Sequence, residues 1–236
     1  MKVSVIVPAH NEAQNIEKSI KSIERALKDC CQKNFEIIVA EDGSIDGTDK
    51  IVRRLISGNR RIILLHSNRR LGKGKAISNG FFASTGKIIF LMDADVPADL
   101  KCLPEMLSSL QSADIILGSR FIKGGIADRS LSRHLFSLLY NSMIKILFQT
   151  GVKDHQCGVK AFTREVLQDI IPSMTSEGFF WDTELIVKAK RRGYAIQEHP
   201  IFWRERDQGK SKISFKDACS LGKSALKFRY HGSYGK

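Results

Sequence analysis

The 236-residue chain is 42% apolar and 27% charged, with five cysteines and a formal net charge of +13. These proportions are those of a globular protein with one large or two small domains, and they exclude a disordered or fibrous chain. No apolar run approaches the ~18 residues of a membrane span. The cysteines are odd in number and lack a CxxC pair, which argues against a zinc site or disulfide framework and for a reducing compartment. The excess positive charge calls for a polyanionic partner: nucleic acid, an anionic membrane surface or phosphorylated substrates.

At the start of the chain, Val3–Val7 is a short apolar run that reads as a strand rather than a signal peptide. Ile16, Ile20, Ile23 and Leu27 follow on one helical face. Phe35–Ala40, Ile62–Leu65, Ile88–Met92 and Ile115–Leu117 are predicted strands, with helices predicted over Thr48–Ser57 and Lys75–Ser84. This alternation implies an α/β fold with a mostly parallel sheet and helices on both faces. Ligands collect at the carboxyl ends of such strands. Pro8–Glu12, Glu41–Ser44 and Asp93–Asp95 all fall there.

After Arg120 the pattern changes. Gly124-Gly125 leads to a helix over Leu131–Phe148, with an apolar stripe of Leu131, Leu135, Leu138, Leu139, Met143, Ile146 and Leu147. Arg133, Ser137, Asn141 and Lys145 occupy another face. A helix over Trp181–Arg191 and a short strand near Ala195–Trp203 come next. A polar segment, Arg204–Lys212, precedes an amphipathic Phe215–Tyr230. No linker divides the chain.

Within IIFLMDAD, residues 88–95, a strand buried on both faces ends in Asp93 and Asp95, two positions apart and so on one side. Such carboxylates repel unless a cation lies between them, and oxygen ligands suit Mg2+ or Mn2+. Capping of the following turn is the alternative. Leu71–Ala76, LGKGKA, matches neither GxGxxG nor GxxxxGK[ST]. Gly72 and Gly74 either make a tight turn or let the backbone approach a ligand. Glu41–Gly47 resembles half a calcium loop without its last glutamate. Asp42 can accept hydrogen bonds from a base or sugar, whereas capping of the next helix falls to Asp46. Asp182 and Glu184 stand where a helix dipole would hold them. His155 is assigned no role. Arg120, Arg133, Arg206 and Lys212 lie near turns or polar faces, where arginine is suited to phosphate.

The segments Pro8–Glu12, Glu41–Thr48, Asp93–Asp95 and Gly118–Phe121 resemble those of the inverting family-2 glycosyltransferases. Asp154–Phe162, Trp181–Leu185 and Arg206–Lys212 are similar to segments of the polyprenyl-phosphate hexose synthases, dolichyl-phosphate glucose synthases before mannose synthases. The resemblance covers almost the whole chain. It implies a nucleotide-diphosphosugar transferase fold of GT-A type in a single domain over 1–236. Residues 1–120 would be its nucleotide-sugar half, and 121–236 its acceptor half with a C-terminal amphipathic helix. The implied reaction is transfer of glucose from UDP-glucose to a polyprenyl phosphate with inversion. The alternative is transfer of mannose from GDP-mannose. A hydroxyl acceptor and a non-catalytic nucleic-acid module stand behind these, and no nucleic-acid motif supports the latter.

By the same resemblance Pro8, His10, Glu12, Glu41, Asp42, Lys75, Asp93, Ala94, Arg206 and Lys212 would bind the nucleotide-sugar. Asp93 and Asp95 would hold Mg2+ or Mn2+, and Arg120, Arg133 and Ser137 would receive the lipid phosphate. Asp93, Asp95 and Asp182 form the implied catalytic set. Two departures stand out: Glu41 replaces a frequent aspartate, and Pro97 lies where some relatives carry a metal ligand, with Asp99 as the nearest substitute. A phosphate monoester has its second pKa near ~6 and is already nucleophilic at neutrality. Asp182 is therefore expected to position substrate or metal; with a hydroxyl acceptor it would be the leading base. Many relatives carry transmembrane helices that this sequence lacks. The expected placement is cytoplasmic and peripheral, on a membrane's cytoplasmic face, through Leu131–Phe148 or Phe215–Tyr230. Core packing is the competing role for both stripes.

Overall fold

The computed structural model describes residues 1–31, 34–95, 100–128, 130–204 and 215–231. Its strands are β1 (Val3–Ala9), β2 (Phe35–Asp42), β3 (Ile62–Ser67), β4 (Ile88–Met92), β5 (Ile115–Ser119), β6 (Ile126–Asp128), β7 (Val159–Thr163), β8 (Ile196–Pro200) and β9 (Phe202–Arg204). The helices are α1 (Ile16–Cys31), α2 (Thr48–Gly58), α3 (Lys73–Ala83), α4 (Leu103–Ser109), α5 (Leu131–Phe148), α6 (Arg164–Ile170), α7 (Trp181–Arg191) and α8 (Phe215–His231). Seven strands form one sheet in the order β3-β2-β1-β4-β7-β5-β8, and β6 pairs with β9 in a small second sheet. The predicted α/β architecture is present. All pairs in the main sheet are parallel except those made by β7, which runs antiparallel to β4 and β5.

Side-chain alternation divides the sheet between two cores. Val3, Val5 and Val7 of β1 and Ile88, Phe90 and Met92 of β4 pack with the apolar face of α1. Ile6 of β1 and Ile89 and Leu91 of β4 face α3, α6 and α7. On β7, Phe162 belongs to this second side, and period-2 alternation puts Lys160 there too. The same alternation carries Asp93, two residues beyond Leu91, toward α3 and α7. The fold thus directs a lysine and an aspartate from adjacent strands to one place.

One predicted element is corrected. The single strand near Ala195–Trp203 is two strands in two sheets. Ile201 interrupts it: its N–H donates to the Ser119 carbonyl and its own carbonyl accepts from Ile126 N–H, so the chain changes partner there. The apolar stripe of α5 is divided. Met143 and Leu147 pack against a small cluster around Ile144, Phe180, Leu221 and Ala225. Leu131, Leu139 and Ile146 stay 88%, 60% and 77% exposed. Among the described residues, no helix is long and apolar enough to cross a membrane.

Candidate active site

The carboxyl ends of β1, β2 and β4 meet through their register, Pro8 opposite Ala40 and Ala9 opposite Glu41. Glu41 is paired with His66, its Oε2 lying 2.5 Å from Nδ1, and it also accepts the Ser44 N–H. Asp42 is buried, and its carboxylate accepts the N–H groups of Leu71 (2.6 Å) and Gly72 (2.9 Å). His10 Nδ1 lies 2.8 Å from the Asp42 carbonyl, and Glu12 accepts from Asn15 Nδ2. Asp46 accepts from the Thr48 N–H and hydroxyl, but the N-cap of α2 is Gly47, with no side-chain cap hydrogen bond, so Asp46 closes the turn before the helix rather than capping it as expected. Asp42 therefore shapes the loop that leads into α3.

That loop presents Lys73, a residue the sequence reading passed over. Lys73 Nζ lies 2.9 Å from Asp93 Oδ1 and 3.2 Å from Asp182 Oδ2. Asp182 is also 2.7 Å from Lys160 Nζ, both side chains nearly excluded from solvent. Two lysines and two aspartates from β4, β7, α3 and α7 thus form one chain of ion pairs. Burial alone would raise the Asp182 carboxyl, but the charges of Lys160 and Lys73 hold it below its ordinary value. Burial works against the Lys73 ammonium, and the charges of Asp182 and Asp93 overcome it and raise its pKa. Lys75, the neighbour chosen from the sequence, is exposed on α3.

The glycines around Lys73 resolve the choice posed by LGKGKA. Gly72 has φ +104, which glycine tolerates, and a Cβ there would sit 2.5 Å from the Glu177 carbonyl. A Cβ on Gly74 would lie 2.5 Å from Trp181 Cδ1, and the Gly74 N–H donates to Glu177 O at 2.6 Å. Both therefore serve the close approach of α3 to the start of α7, which brings Lys73 to Asp182. Glu184 is structural: it accepts from Thr175 and Ser176 N–H and pairs with Lys188.

Arg120, which follows β5, makes a buried bidentate pair with Asp154, Nε to Oδ2 at 2.7 Å and Nη2 to Oδ1 at 2.8 Å. Its guanidinium lies 5.2 Å from the Trp203 ring centre. Asp154, part of the Asp154–Phe162 segment, is thus the counter-ion of Arg120. Ser137 is half-buried on α5, and its carbonyl accepts from Asn141. The Arg133 side chain, Arg206, Lys212, Pro97 and Asp99 lie outside the described residues. His155 is buried between Thr150 and Asn141, consistent with a structural part only.

Asp93 remains partly exposed, its N–H donating to Gly158 O at 3.0 Å, with Ala94 buried beside it and Asp95 half-exposed. Among the described residues, no group of three or more His, Cys, Asp or Glu is placed to hold a metal ion. Asp93 and Asp95 nevertheless fit a hard divalent cation, because Mg2+ takes one or two carboxylates and completes its shell from substrate phosphates and water.

Comparison with known proteins adds four findings. The family model described as glycosyl transferase family 2 matches residues 4–171. Glycosyltransferase AglD of Haloferax volcanii is 35% identical over 231 residues, covering 96% of this chain but only 37% of that relative, so the chain spans little over a third of it. Dolichyl-phosphate beta-glucosyltransferase ALG5C of Trichomonas vaginalis is 33% identical, covering 95% of this chain and 71% of its own. Among solved structures, Mycobacterium tuberculosis glucosyl-3-phosphoglycerate synthase in complex with Mn2+, UDP and phosphoglyceric acid superposes with a TM-score of 0.73 at 21% identity, covering 98% of this chain and 78% of that one. The likeness is one of fold.

Proposed function

The chain belongs to glycosyl transferase family 2, and from that membership we propose that it transfers glucose from UDP-glucose to the phosphate of a polyprenyl phosphate with inversion. One observation carries the acceptor class. Asp182, the carboxylate best placed to act as a base, is buried between Lys160 and Lys73 and held in its charged, weakly basic state. A hydroxyl acceptor needs its proton removed; a phosphate monoester, with a second pKa near ~6, arrives as a dianion and needs no base. A phosphate oxygen would form the new bond to the anomeric carbon as the bond to the nucleotide diphosphate breaks, with no proton left over. The relative named as a dolichyl-phosphate beta-glucosyltransferase supports both the lipid class and the sugar.

In this reading Asp93 and Asp95 hold Mg2+ or Mn2+, which when bound would neutralise the leaving diphosphate. Lys73 adds a fixed positive charge at the same end of the sheet. Pro8, His10, Glu12 and Ala94 line the donor site, with Asp42 acting through the loop it holds. Arg206 and Lys212 contribute to the diphosphate side, and Arg120, Arg133 and Ser137 to the lipid side. The exposed leucines and isoleucine of α5 supply a peripheral membrane contact on the cytoplasmic face.

The test is turnover with Mg2+ or Mn2+, farnesyl phosphate as acceptor, and UDP-glucose or GDP-mannose as donor. Glucose transfer from UDP-glucose that is lost in Asp95→Ala is the expected outcome. Transfer from GDP-mannose alone would replace the sugar and base. Transfer to an alcohol but not to the phosphate would overturn the acceptor class.

A further inference from the structure

The last two residues of α1, Cys30 and Cys31, are free thiols that the proposed reaction does not use. Successive side chains on a helix diverge by about 100°, yet the two sulfurs lie only 3.4 Å apart. Both residues are half-buried against the core beneath α1, and Cys30 Sγ is also 3.9 Å from the Leu27 carbonyl. They stand at the amino end of the sheet. The Asn34 N–H donates to the Cys31 carbonyl and the Val3 N–H to the Asn34 carbonyl, each at 3.1 Å, which ties the end of α1 to the start of β1. The candidate active site occupies the opposite, carboxyl end, where Ala9 faces Glu41.

Three outcomes are open to such a pair: a disulfide, a metal thiolate or a covalent chelate. A disulfide is disfavoured, because adjacent Cα atoms are about 3.8 Å apart, below the roughly 4.4–6.8 Å that the bond usually spans. Burial is the main reason that the Cys31 thiol is pushed up to about 12, with Cys30 assisting and the charge of the amino terminus opposing. At neutral pH that thiol keeps its proton. A zinc ion binds thiolates and would have to expel the protons first, which weakens it. The 3.4 Å spacing points the same way: with bonds of about 2.3 Å, a bridging centre subtends about 95° at the two sulfurs. Linear two-coordinate ions need far wider sulfurs, and a tetrahedral ion somewhat wider ones. A pyramidal centre with angles below tetrahedral fits, and trivalent arsenic is one. An arsenic hydroxide exchanges each hydroxyl for a thiol sulfur: an As–O and an S–H bond break, an As–S bond forms, and the thiol proton leaves in the water released. No free proton is produced and no atom changes oxidation state.

We propose that Cys30 and Cys31 form a second ligand site, remote from the active site, that chelates trivalent arsenic carrying one organic group, each thiol supplying one As–S bond. The full reduced chain is titrated with phenylarsine oxide, the thiols left reactive are counted, and the modified peptide is located by mass spectrometry. One equivalent should silence two thiols and map to the peptide that contains Cys30 and Cys31. The dithiol dimercaptopropanol should strip the adduct, whereas the same concentration of a monothiol should leave it in place. Cys30→Ser and Cys31→Ser should each weaken retention on the order of a hundredfold or more, because a chelate becomes a single bond. Thermal melting identifies a serine variant that fails to fold, and the other variant then decides. Zn2+ at neutral pH should protect neither thiol. Wild-type retention in a folded serine variant would overturn the site, as would an adduct mapped to another cysteine or the absence of one in the wild type. Protection by Zn2+ equal to that by the arsenical would overturn the preference for arsenic.

Discussion

Lys160 and Asp182 form an ion pair of 2.7 Å in which each side chain is only 3% exposed. Neither would be tolerated there alone, because an unpaired buried charge costs several kcal/mol. Lys160→Met is therefore expected to destabilise the protein by about 3 kcal/mol, with Lys73 retaining part of the compensation. Asp182→Asn strands Lys160 and should cost a similar amount. Urea unfolding measures both. A change within error for Lys160→Met would mean that the pair is not a structural link between β7 and α7.

Lys73 and Lys75 stand two residues apart in LGKGKA and have different surroundings. Lys73 touches Asp93 and Asp182, whereas Lys75 is exposed. Lys73→Met is expected to lower kcat/KM on the order of a hundredfold, the range for removal of a fixed charge at a reacting centre. Lys75→Met should stay within about twofold, as surface changes do. Equal losses would mean that Lys75 binds the donor as the sequence resemblance implies; steady-state kinetics with both substrates decides.

The carboxyl-end clusters were legible because parallel strands end at one edge, so Pro8–Glu12, Glu41–Asp42 and Asp93–Asp95 marked a candidate site without any tertiary knowledge. Their partners were not. β7 is a buried strand whose apolar run is broken by Lys160, so a single charge concealed the strand that supplies the site's second lysine. Asp154 likewise gave no sign that it would neutralise Arg120 across 34 positions of sequence. Gly72 and Gly74 advertised a close approach, but only the packing against Glu177 and Trp181 shows what approaches.

His155 should govern the acid side of the stability curve. Asn141 Oδ1 can only accept, so Nδ1 carries the proton at 2.9 Å, and Nε2 accepts from Thr150 at 2.8 Å. Burial is the main reason that the imidazole is pushed down from 6.5 to about 4, with Lys160 assisting and Asp154 opposing. Between those values the unfolded chain binds a proton that the folded one excludes. Stability from this site is full above about 6.5 and falls as pH drops toward 4, by on the order of 3 kcal/mol. His155→Gln should flatten that limb in unfolding measured from neutral to mildly acidic pH. An unchanged slope would assign it to other groups.

The exposed face of α5 predicts vesicle binding. Leu131, Leu139 and Ile146 present apolar surface that no described segment covers, and the chain's +13 charge favours an anionic bilayer. Leu139→Glu/Ile146→Glu is expected to weaken co-sedimentation with phosphatidylserine-containing vesicles by tenfold or more, since each buried side chain contributes roughly 1.5–3 kcal/mol. Turnover of water-soluble farnesyl phosphate should persist. Undiminished vesicle binding would move the contact elsewhere.

Gly158 fixes where Asp93 can stand. A Cβ at 158 would collide with Asp93 Oδ2 and lie 2.9 Å from the Trp203 ring. The Asp93 N–H is bound to the Gly158 carbonyl at 3.0 Å, so the backbones of β4 and the segment before β7 cannot separate without losing that bond. The Asp93 carboxylate is the part able to yield, and in yielding it leaves Lys73. Gly158→Ala should therefore cost about 1–3 kcal/mol in stability and reduce kcat on the order of tenfold or more, with the KM for metal raised in parallel. Trp203 stacks with Arg120, so some loss of acceptor affinity should follow from the same methyl group. Full kcat and unaltered metal dependence in Gly158→Ala would show that the position of the Asp93 carboxylate does not limit the reaction.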